Sequence, residues 1–255
     1  MDDFGRSPEI SKKILKCVQY GYVNSVSVIV GKIKKKLHIS LKKSSIKTRL
    51  HLNLTENIIK PNIKKHTFFK LLFLNKLEQE KIKKEIKNQV DEYIKIYGKK
   101  NFRIDGHEHV HVIPWIYKYL INLKKIKIKE IRVPNEEIKF FDYWCFLKLK
   151  FYRNLIALIV LKLLIFISNI KKNKLIFFGI LYSGLYNKKI LLNNLEYISN
   201  NYKKKYEYEI LIHGGHTNAK EKKEFEEQYF RVYSSVENKD QYKLAFNKKL
   251  FNNFF

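Results

Sequence analysis

The chain has 255 residues, of which 45% are hydrophobic and 15% aromatic, and this composition excludes an intrinsically disordered protein. Its two cysteines, Cys17 and Cys145, lie far apart without the spacing of a metal site, so they give no support for a disulfide framework or a cysteine-based zinc site. No apolar run typical of a signal peptide precedes Ser7. We therefore expect a folded protein of a reducing compartment, the cytoplasm.

The formal net charge of +28 raises the question of nucleic-acid binding. Only six of the 52 basic residues are arginines, the side chains that recognise bases and phosphates with a bidentate fork. The lysines are spread over nearly the whole length, which is typical of solvated faces. We expect no specific nucleic-acid partner, and loose attraction to anionic membranes or polyanionic glycans stays open.

Short β-branched runs alternate with longer helical patterns along the chain. Predicted strands cover residues 23–30, 48–54, 102–105, 129–133, 175–179 and 208–212, and predicted helices cover 11–20, 77–97, a stretch from Pro114 onward, and 188–199. This alternation predicts an α/β protein with a parallel sheet, and we expect a (β/α) barrel. No linker divides the chain, so one domain over 1–255 is expected. Its barrel would cover about 1–216, with an extension of about 217–255 packed on the outside.

The most apolar segment covers residues 154–170 and carries Lys162 in its middle. A membrane-spanning helix needs about 20 apolar residues, so this segment is too short and is charged at its centre. We expect a buried helix. A peripheral membrane contact, which would make the protein membrane-associated, is the alternative.

Two acidic residues, Asp2 and Asp3, follow Met1 directly. Asp3 is a candidate cap for the helix that begins near Pro8, or both residues belong to a disordered terminus. Alternatively, one carboxylate binds a metal ion and the other moves a proton.

Three histidines, His107, His109 and His111, occur within five residues after a predicted strand. If this stretch is extended, their spacing of two places them on one side. The carboxyl ends of strands hold the active sites of α/β proteins. His51 and His213 also lie on or after predicted strands. One carboxylate with two imidazoles is a common open site for Zn²⁺ or another divalent ion, so the pattern predicts a metal centre.

Four segments together resemble the motifs of the YdjC-like (ChbG/HpnK) carbohydrate deacetylase family. They read MDDFGRSPEISKK, LHLNLTE, DGHEHVHVIP and EILIHGG, in the order and spacing of the family. Residues 151–154 and 177–184 resemble the hopanoid-biosynthesis-associated branch.

The resemblance implies a (β/α) barrel of the polysaccharide-deacetylase and glycoside-hydrolase type. It also implies metal-dependent removal of an N-acetyl group from an amino sugar, an oligosaccharide or a glycolipid. By position, the metal ligands would be Asp3, His51 and His107, the general base Asp2 and the general acid His213. The side chains that orient ligands or hold sugar hydroxyls would be Asn53, Glu108, His109 and His111. The metal, Mg²⁺ or Zn²⁺, is undecided, and a homo-oligomer is an option.

Two other functions stay open at this point. The same site suits another metallohydrolase, such as a phosphoesterase, and the basic surface suits a non-catalytic protein that binds glycans or membranes. The chain also departs from the family pattern, because relatives have an apolar strand before the acid pair. We therefore expect the first barrel strand to be missing, with Asp2 and Asp3 hanging from a free terminus. The favoured cause is a true start upstream, and the alternative is a barrel that is open at this seam, with reduced activity.

Overall fold

The computed structural model describes residues 1–31, 33–56, 66–98, 101–123, 126–171, 175–202, 207–224 and 231–247. One parallel sheet has the order β1 (Ser25–Val28), β2 (Lys47–Leu52), β3 (Asn101–Gly106) and β4 (Lys127–Ile131). A second parallel pair consists of β5 (Leu175–Phe178) and β6 (Glu207–Ile210). The predicted parallel α/β architecture is confirmed.

The helices are α1 (Pro8–Tyr20), α2 (Lys35–Lys43), α3 (Phe68–Leu72), α4 (Lys76–Tyr97), α5 (Pro114–Ile121), α6 (Leu149–Ile167), α7 (Lys188–Asn201) and α8 (Val236–Leu244). Local capping sets their ends. Ser7 accepts a hydrogen bond from the Ile10 amide, so Ser7, and not Asp3, caps α1. Helix α4 begins with a capping box of Asn75 and Glu78.

Strand β2 is buried on both faces, one of which is apolar and the other charged. Leu50 and Leu52 are buried in the apolar core formed with β1, β3, α1 and α4. Arg49 and His51 alternate onto the opposite face and are buried as well. Buried charged groups need partners, so their side chains must meet other polar groups on that face.

The first four residues are hydrogen-bonded to β1. The expectation that Asp2 and Asp3 hang from a free terminus is therefore wrong. The Met1 ammonium donates to the Ser25 carbonyl oxygen at 2.7 Å, and the Ser27 amide donates to the Met1 carbonyl oxygen at 3.0 Å. Phe4 pairs with Val28 in a parallel bridge. Asp2 and Asp3 therefore lie on backbone that is hydrogen-bonded to the sheet.

The described part of the extension beyond residue 216 forms hydrogen bonds with the rest of the chain. The Glu221 carboxylate accepts hydrogen bonds from Ser7 Oγ at 2.7 Å and from the Glu9 amide at 2.9 Å. Gln241 Oε1 accepts from the His213 amide at 2.7 Å. The extension thus braces both the start of α1 and the backbone at His213. Residues 225–230 and 248–255 of the extension lie outside the described ranges.

Helix α6 contains most of the apolar segment at 154–170. One face packs into a second apolar cluster through Phe151, Leu158 and Leu161, as expected for a buried helix. The opposite face is exposed and is also apolar. Within the described ranges, no helix combines the length and apolar character needed to cross a membrane.

Candidate functional site

Acidic and histidine side chains converge at the carboxyl ends of β1, β2 and β3. Asp2 and Asp3 lie beside β1, His51 lies near the end of β2, and His107 follows β3 directly. His51 and Asp105 are register partners in adjacent strands, which places their side chains together. The structure therefore brings the predicted carboxylates and two of the predicted imidazoles into one buried group.

Asp3 lies between two histidines. Its Oδ1 atom is 3.4 Å from His51 Nε2 and 3.2 Å from His107 Nδ1. One ligand atom from each of the three residues falls within 4.8 Å of the others. In the described part of the chain, no donor forms a well-oriented hydrogen bond with this buried Oδ1. A carboxylate and two imidazoles with an orphaned oxygen between them fit a divalent metal ion, so this group could hold one.

The other nitrogen of His51 is held by a carboxylate. His51 Nδ1 lies 2.7 Å from Asp105 Oδ1, an arrangement that turns Nε2 towards Asp3. Metal-ligating histidines commonly have such a carboxylate partner, which fixes the tautomer and the ring orientation. Burial alone would lower the pKa of His51, but Asp105 and Asp2 outweigh it and raise this pKa to about 10.

Asp2 is held by Arg132, which the sequence analysis missed. Arg132 Nη1 lies 2.8 Å from Asp2 Oδ2 and 2.7 Å from Asp105 Oδ2, and Ser27 Oγ donates to Asp2 Oδ1 at 2.6 Å. Burial would raise the pKa of Asp2, but the Arg132 guanidinium and His51 hold it well below its usual range. One feature of the sequence indicated a role for Arg132: it is an arginine at the end of a predicted strand, in a chain whose basic residues are mostly lysines.

Arg49, Glu56 and Glu209 also belong to the site and were not predicted. Arg49 Nη1 donates to Glu209 Oε2 at 2.8 Å, and Arg132 forms a short contact with the same carboxylate. Glu56 pairs with Arg6, and its Oε1 lies 3.7 Å from His107 Nε2. His107 is thereby flanked by two carboxylates. Burial would lower its pKa, and Glu56 and Asp3 reverse the effect and raise it.

His213 lies at the edge of this group. Its Nε2 is 4.0 Å from Asp3 Oδ2, and burial, partly opposed by Asp3, lowers its pKa. Tyr233 from the C-terminal extension is buried beside the same carboxylate, and its pKa is raised well above the usual value, first by burial and then by Asp3.

The turn after β3 carries further predicted site residues, and their side chains differ in burial. Residues His107–Val112 form a 3₁₀ helix with positive φ at Glu108 and His109. The stretch is therefore not extended, and the condition under which a spacing of two places the three histidines on one side is not met. His111 is fully buried, with Nε2 2.9 Å from the Arg132 carbonyl oxygen, and Glu108 is exposed.

Asn53 and His109 lie beside the central group. The Asn53 side chain accepts from the Glu56 amide at 3.1 Å and donates to the Glu56 carboxylate at 3.3 Å, which orients that carboxylate. The His109 ring packs against His111 and Phe177, and burial, together with His111 and Arg132, lowers its pKa well below the ordinary value.

Parallel strands bring an Asp–His–His group to one edge of an α/β fold, and this group is a candidate metal centre. The family model of the YdjC-like proteins matches residues 1–244, and the chain belongs to that family. A carbohydrate deacetylase from Danio rerio is 27% identical over 151 residues, which is 53% of this chain and 48% of the relative. The match thus spans about half the length of that curated relative.

A solved structure shares the fold. It is a crystal structure described as that of a cellobiose-phosphate cleavage protein from Enterococcus faecalis. The TM-score is 0.61 at 16% identity, and the match covers 96% of this chain and 92% of the other. At this level of identity the likeness supports the fold alone.

Proposed function

We propose that the protein is a metal-dependent carbohydrate deacetylase, which hydrolyses the amide bond of an N-acetylated amino sugar. The observation that carries the proposal is the Asp3 Oδ1 atom between His51 and His107, which accepts no hydrogen bond in the described part of the chain, with the charged Asp2 carboxylate nearby. Membership of the YdjC-like family and the name of the Danio rerio relative support the same reaction.

In this proposal Asp3, His51 and His107 hold the ion. A bound divalent ion would polarise the acetyl carbonyl and lower the pKa of a water molecule. Zn²⁺ and Mg²⁺ both stay candidates, and the two imidazoles favour Zn²⁺ because Mg²⁺ prefers oxygen ligands.

Asp2 is the proposed general base. The Arg132 guanidinium keeps its carboxylate ionised, so Asp2 can accept a proton from the attacking water. His213, whose Nε2 atom lies 4.0 Å from Asp3 Oδ2, is the proposed acid for the leaving amine. Burial lowers the pKa of His213, which makes its protonated form a stronger acid.

Two other predicted residues take indirect roles. His111 is fully buried against the Arg132 carbonyl, and Asn53 orients Glu56, so both position charged groups and neither is available to a sugar. His109 stays a candidate for orienting the metal ligands. Glu108 is exposed, and it stays a candidate for contact with the hydroxyl groups of a sugar.

We propose further that both sheets belong to one (β/α) barrel in a single domain over residues 1–255. Glu209 on β6 accepts hydrogen bonds from Arg49 on β2 and Arg132 after β4, which fits strands arranged around a shared interior. A cytoplasmic location is supported by Cys17 and Cys145, which are buried and free.

The proposal is tested by two measurements on the same preparations. Bound metal is quantified per chain, and acetate release is followed from N-acetylglucosamine oligomers. We expect His107→Ala to lose both metal and activity, and Asp2→Asn to keep metal but lose activity by at least about 100-fold. His66→Gln serves as the control histidine, because His66 lies outside the metal-binding group.

Three outcomes would contradict the proposal. Equal activity of wild type and His107→Ala would exclude the site, and turnover of phosphate esters without acetate release would favour a phosphoesterase. A protein that holds no metal and binds only polyanions, with a steep dependence on salt, would indicate a non-catalytic binding role.

A further inference from the structure

Helix α6 is apolar on two opposite faces, although only one of them is covered by the described part of the chain. The inner face packs in the core through Phe151, Leu158 and Leu161. The outer face carries the apolar residues Leu149, Tyr152, Ile156, Ile159, Leu163, Phe166 and Ile167, all exposed. Helices of water-soluble domains normally place polar residues on the outer face.

The outer face of α6 is a continuous stripe. From Leu149 to Phe166 its members recur at alternating intervals of three and four residues, which aligns them along one side of the helix, and Ile167 adjoins the last of them. Leu149 at one end is 88% exposed and Phe166 at the other end is 82% exposed. Over 19 residues the stripe is far larger than the single exposed apolar side chains that most surfaces contain.

Aromatic side chains extend the stripe beyond the start of α6. The short 3₁₀ helix Tyr143–Leu147 precedes α6, and its Tyr143, Trp144 and Leu147 are exposed. Trp and Tyr favour the boundary between lipid and water, because each ring has an apolar body and a polar tip.

The positive charge around α6 indicates which partner covers its outer face. The sequence contains no Asp or Glu between Asp142 and Glu196, and exposed Lys148 and Arg153 adjoin the stripe on α6. Two copies packed stripe to stripe would bring these cations together without a carboxylate from this stretch to pair with them. An anionic lipid surface offers hydrocarbon for the stripe and negative charge for the cations.

We propose that the outer face of α6, together with Tyr143, Trp144 and Leu147, docks on the surface of an anionic lipid bilayer. The helix lies in the plane of the interface and does not cross the bilayer. The inner face of α6 keeps its contacts with the core. Ser168, directly after α6, contacts the Val112 carbonyl oxygen at 3.4 Å, so the docked helix adjoins the 3₁₀ turn that begins with His107.

The test is flotation of the full chain with vesicles. Wild type should float with vesicles that contain phosphatidylglycerol and phosphatidylcholine, and binding to pure phosphatidylcholine should be much weaker. The variant Ile156→Ser/Leu163→Ser/Phe166→Ser should bind roughly 100-fold more weakly, because three exposed apolar side chains no longer enter the lipid. Lys148→Gln/Arg153→Gln should bind more weakly to the anionic vesicles only.

The matched control is Phe69→Ser/Phe73→Ser, which removes two exposed aromatic rings at α3 and should leave flotation unchanged. Circular dichroism checks that each variant is folded. Equal flotation of wild type and the triple serine variant would overturn the proposal. So would a wild type that does not float but forms a dimer that the triple variant lacks. Neither result depends on acetate release, so the proposed deacetylase activity stands or fails separately.

Discussion

Arg132 Nη1 lies 2.8 Å from Asp2 Oδ2, although 130 residues separate the two in sequence. The same guanidinium contacts Asp105 and Glu209, so one buried cation serves three carboxylates. Because a buried charge without a partner is strongly unfavourable, the geometry around Asp2 depends on this arginine.

Replacing Arg132 by methionine is expected to lower the free energy of unfolding by about 3–5 kcal/mol, since buried carboxylates lose their partner. Arg132→Lys keeps a cation but not the fork that reaches several carboxylates, so a smaller loss is expected. Urea denaturation measures both changes. A loss below about 1 kcal/mol for Arg132→Met would show that the carboxylates find other partners.

Gly5 follows the acid pair and has a φ of +97°. A Cβ atom on Gly5 would lie 1.9 Å from the Ile29 carbonyl oxygen, which is backbone and cannot move aside easily. We expect Gly5→Ala to lower the free energy of unfolding by at least about 3 kcal/mol, through both the clash and the positive φ.

Gly98 is the matched control for Gly5. It has a φ of +68°, but the nearest atom to an added Cβ is Lys42 Nζ at 3.8 Å. Gly98→Ala should therefore cost only about 1 kcal/mol, the conformational part alone. Equal losses for the two variants in urea denaturation would contradict the steric account of Gly5.

Glu136 gives a pH dependence that does not involve the metal centre. Burial raises its pKa to about 7, although the amides of Gly179, Ile180 and Leu181 donate to its Oε2 atom and partly oppose the shift. The folded state therefore keeps the proton at pH values where the unfolded chain has lost it. The stabilising contribution is complete below the unfolded pKa and is lost as the pH rises to about 7.

The measurement for Glu136 compares wild type with Glu136→Gln, which cannot titrate. The free energy of unfolding of wild type should fall relative to that of the variant by about 2–3 kcal/mol as the pH rises from 5 to 8. Chemical denaturation across this range gives the difference directly. A constant difference would mean that Glu136 has an ordinary pKa in the folded state.

Asp105 is expected to support metal binding without touching the ion. Asp105→Asn weakens the partner of His51 Nδ1, and the loss of such a partner typically lowers metal affinity by about 10–100-fold. Isothermal titration with Zn²⁺ measures the change. Asp142→Asn is the control, because Asp142 pairs with Lys189 outside the metal centre. Unchanged affinity in Asp105→Asn would argue against His51 as a ligand.

The sequence predicted the parallel α/β fold because strands and helices have distinct apolar periods. The resemblance to the YdjC-like motifs predicted Asp3, His51 and His107 as one group, and the positions of His51 and His107 at or after predicted strands favoured it. Arg132, Glu56 and Glu209 were missed because their partners are distant in sequence, and residue spacing along one segment carries no information about them. The conformation after β3 could not be read from residue spacing, because an apolar period carries no information about the positive φ at Glu108 and His109.

The contacts of the C-terminal extension bear on the order in which the molecule folds. His213 and Tyr233 lie beside the Asp3 carboxylate, although both are far from it in sequence. Because closing a long loop is entropically unfavourable, we expect these contacts to form late in folding, after neighbouring strands have paired. The carboxylate of Asp3 therefore gains its last partners only when the parallel sheet is already in place.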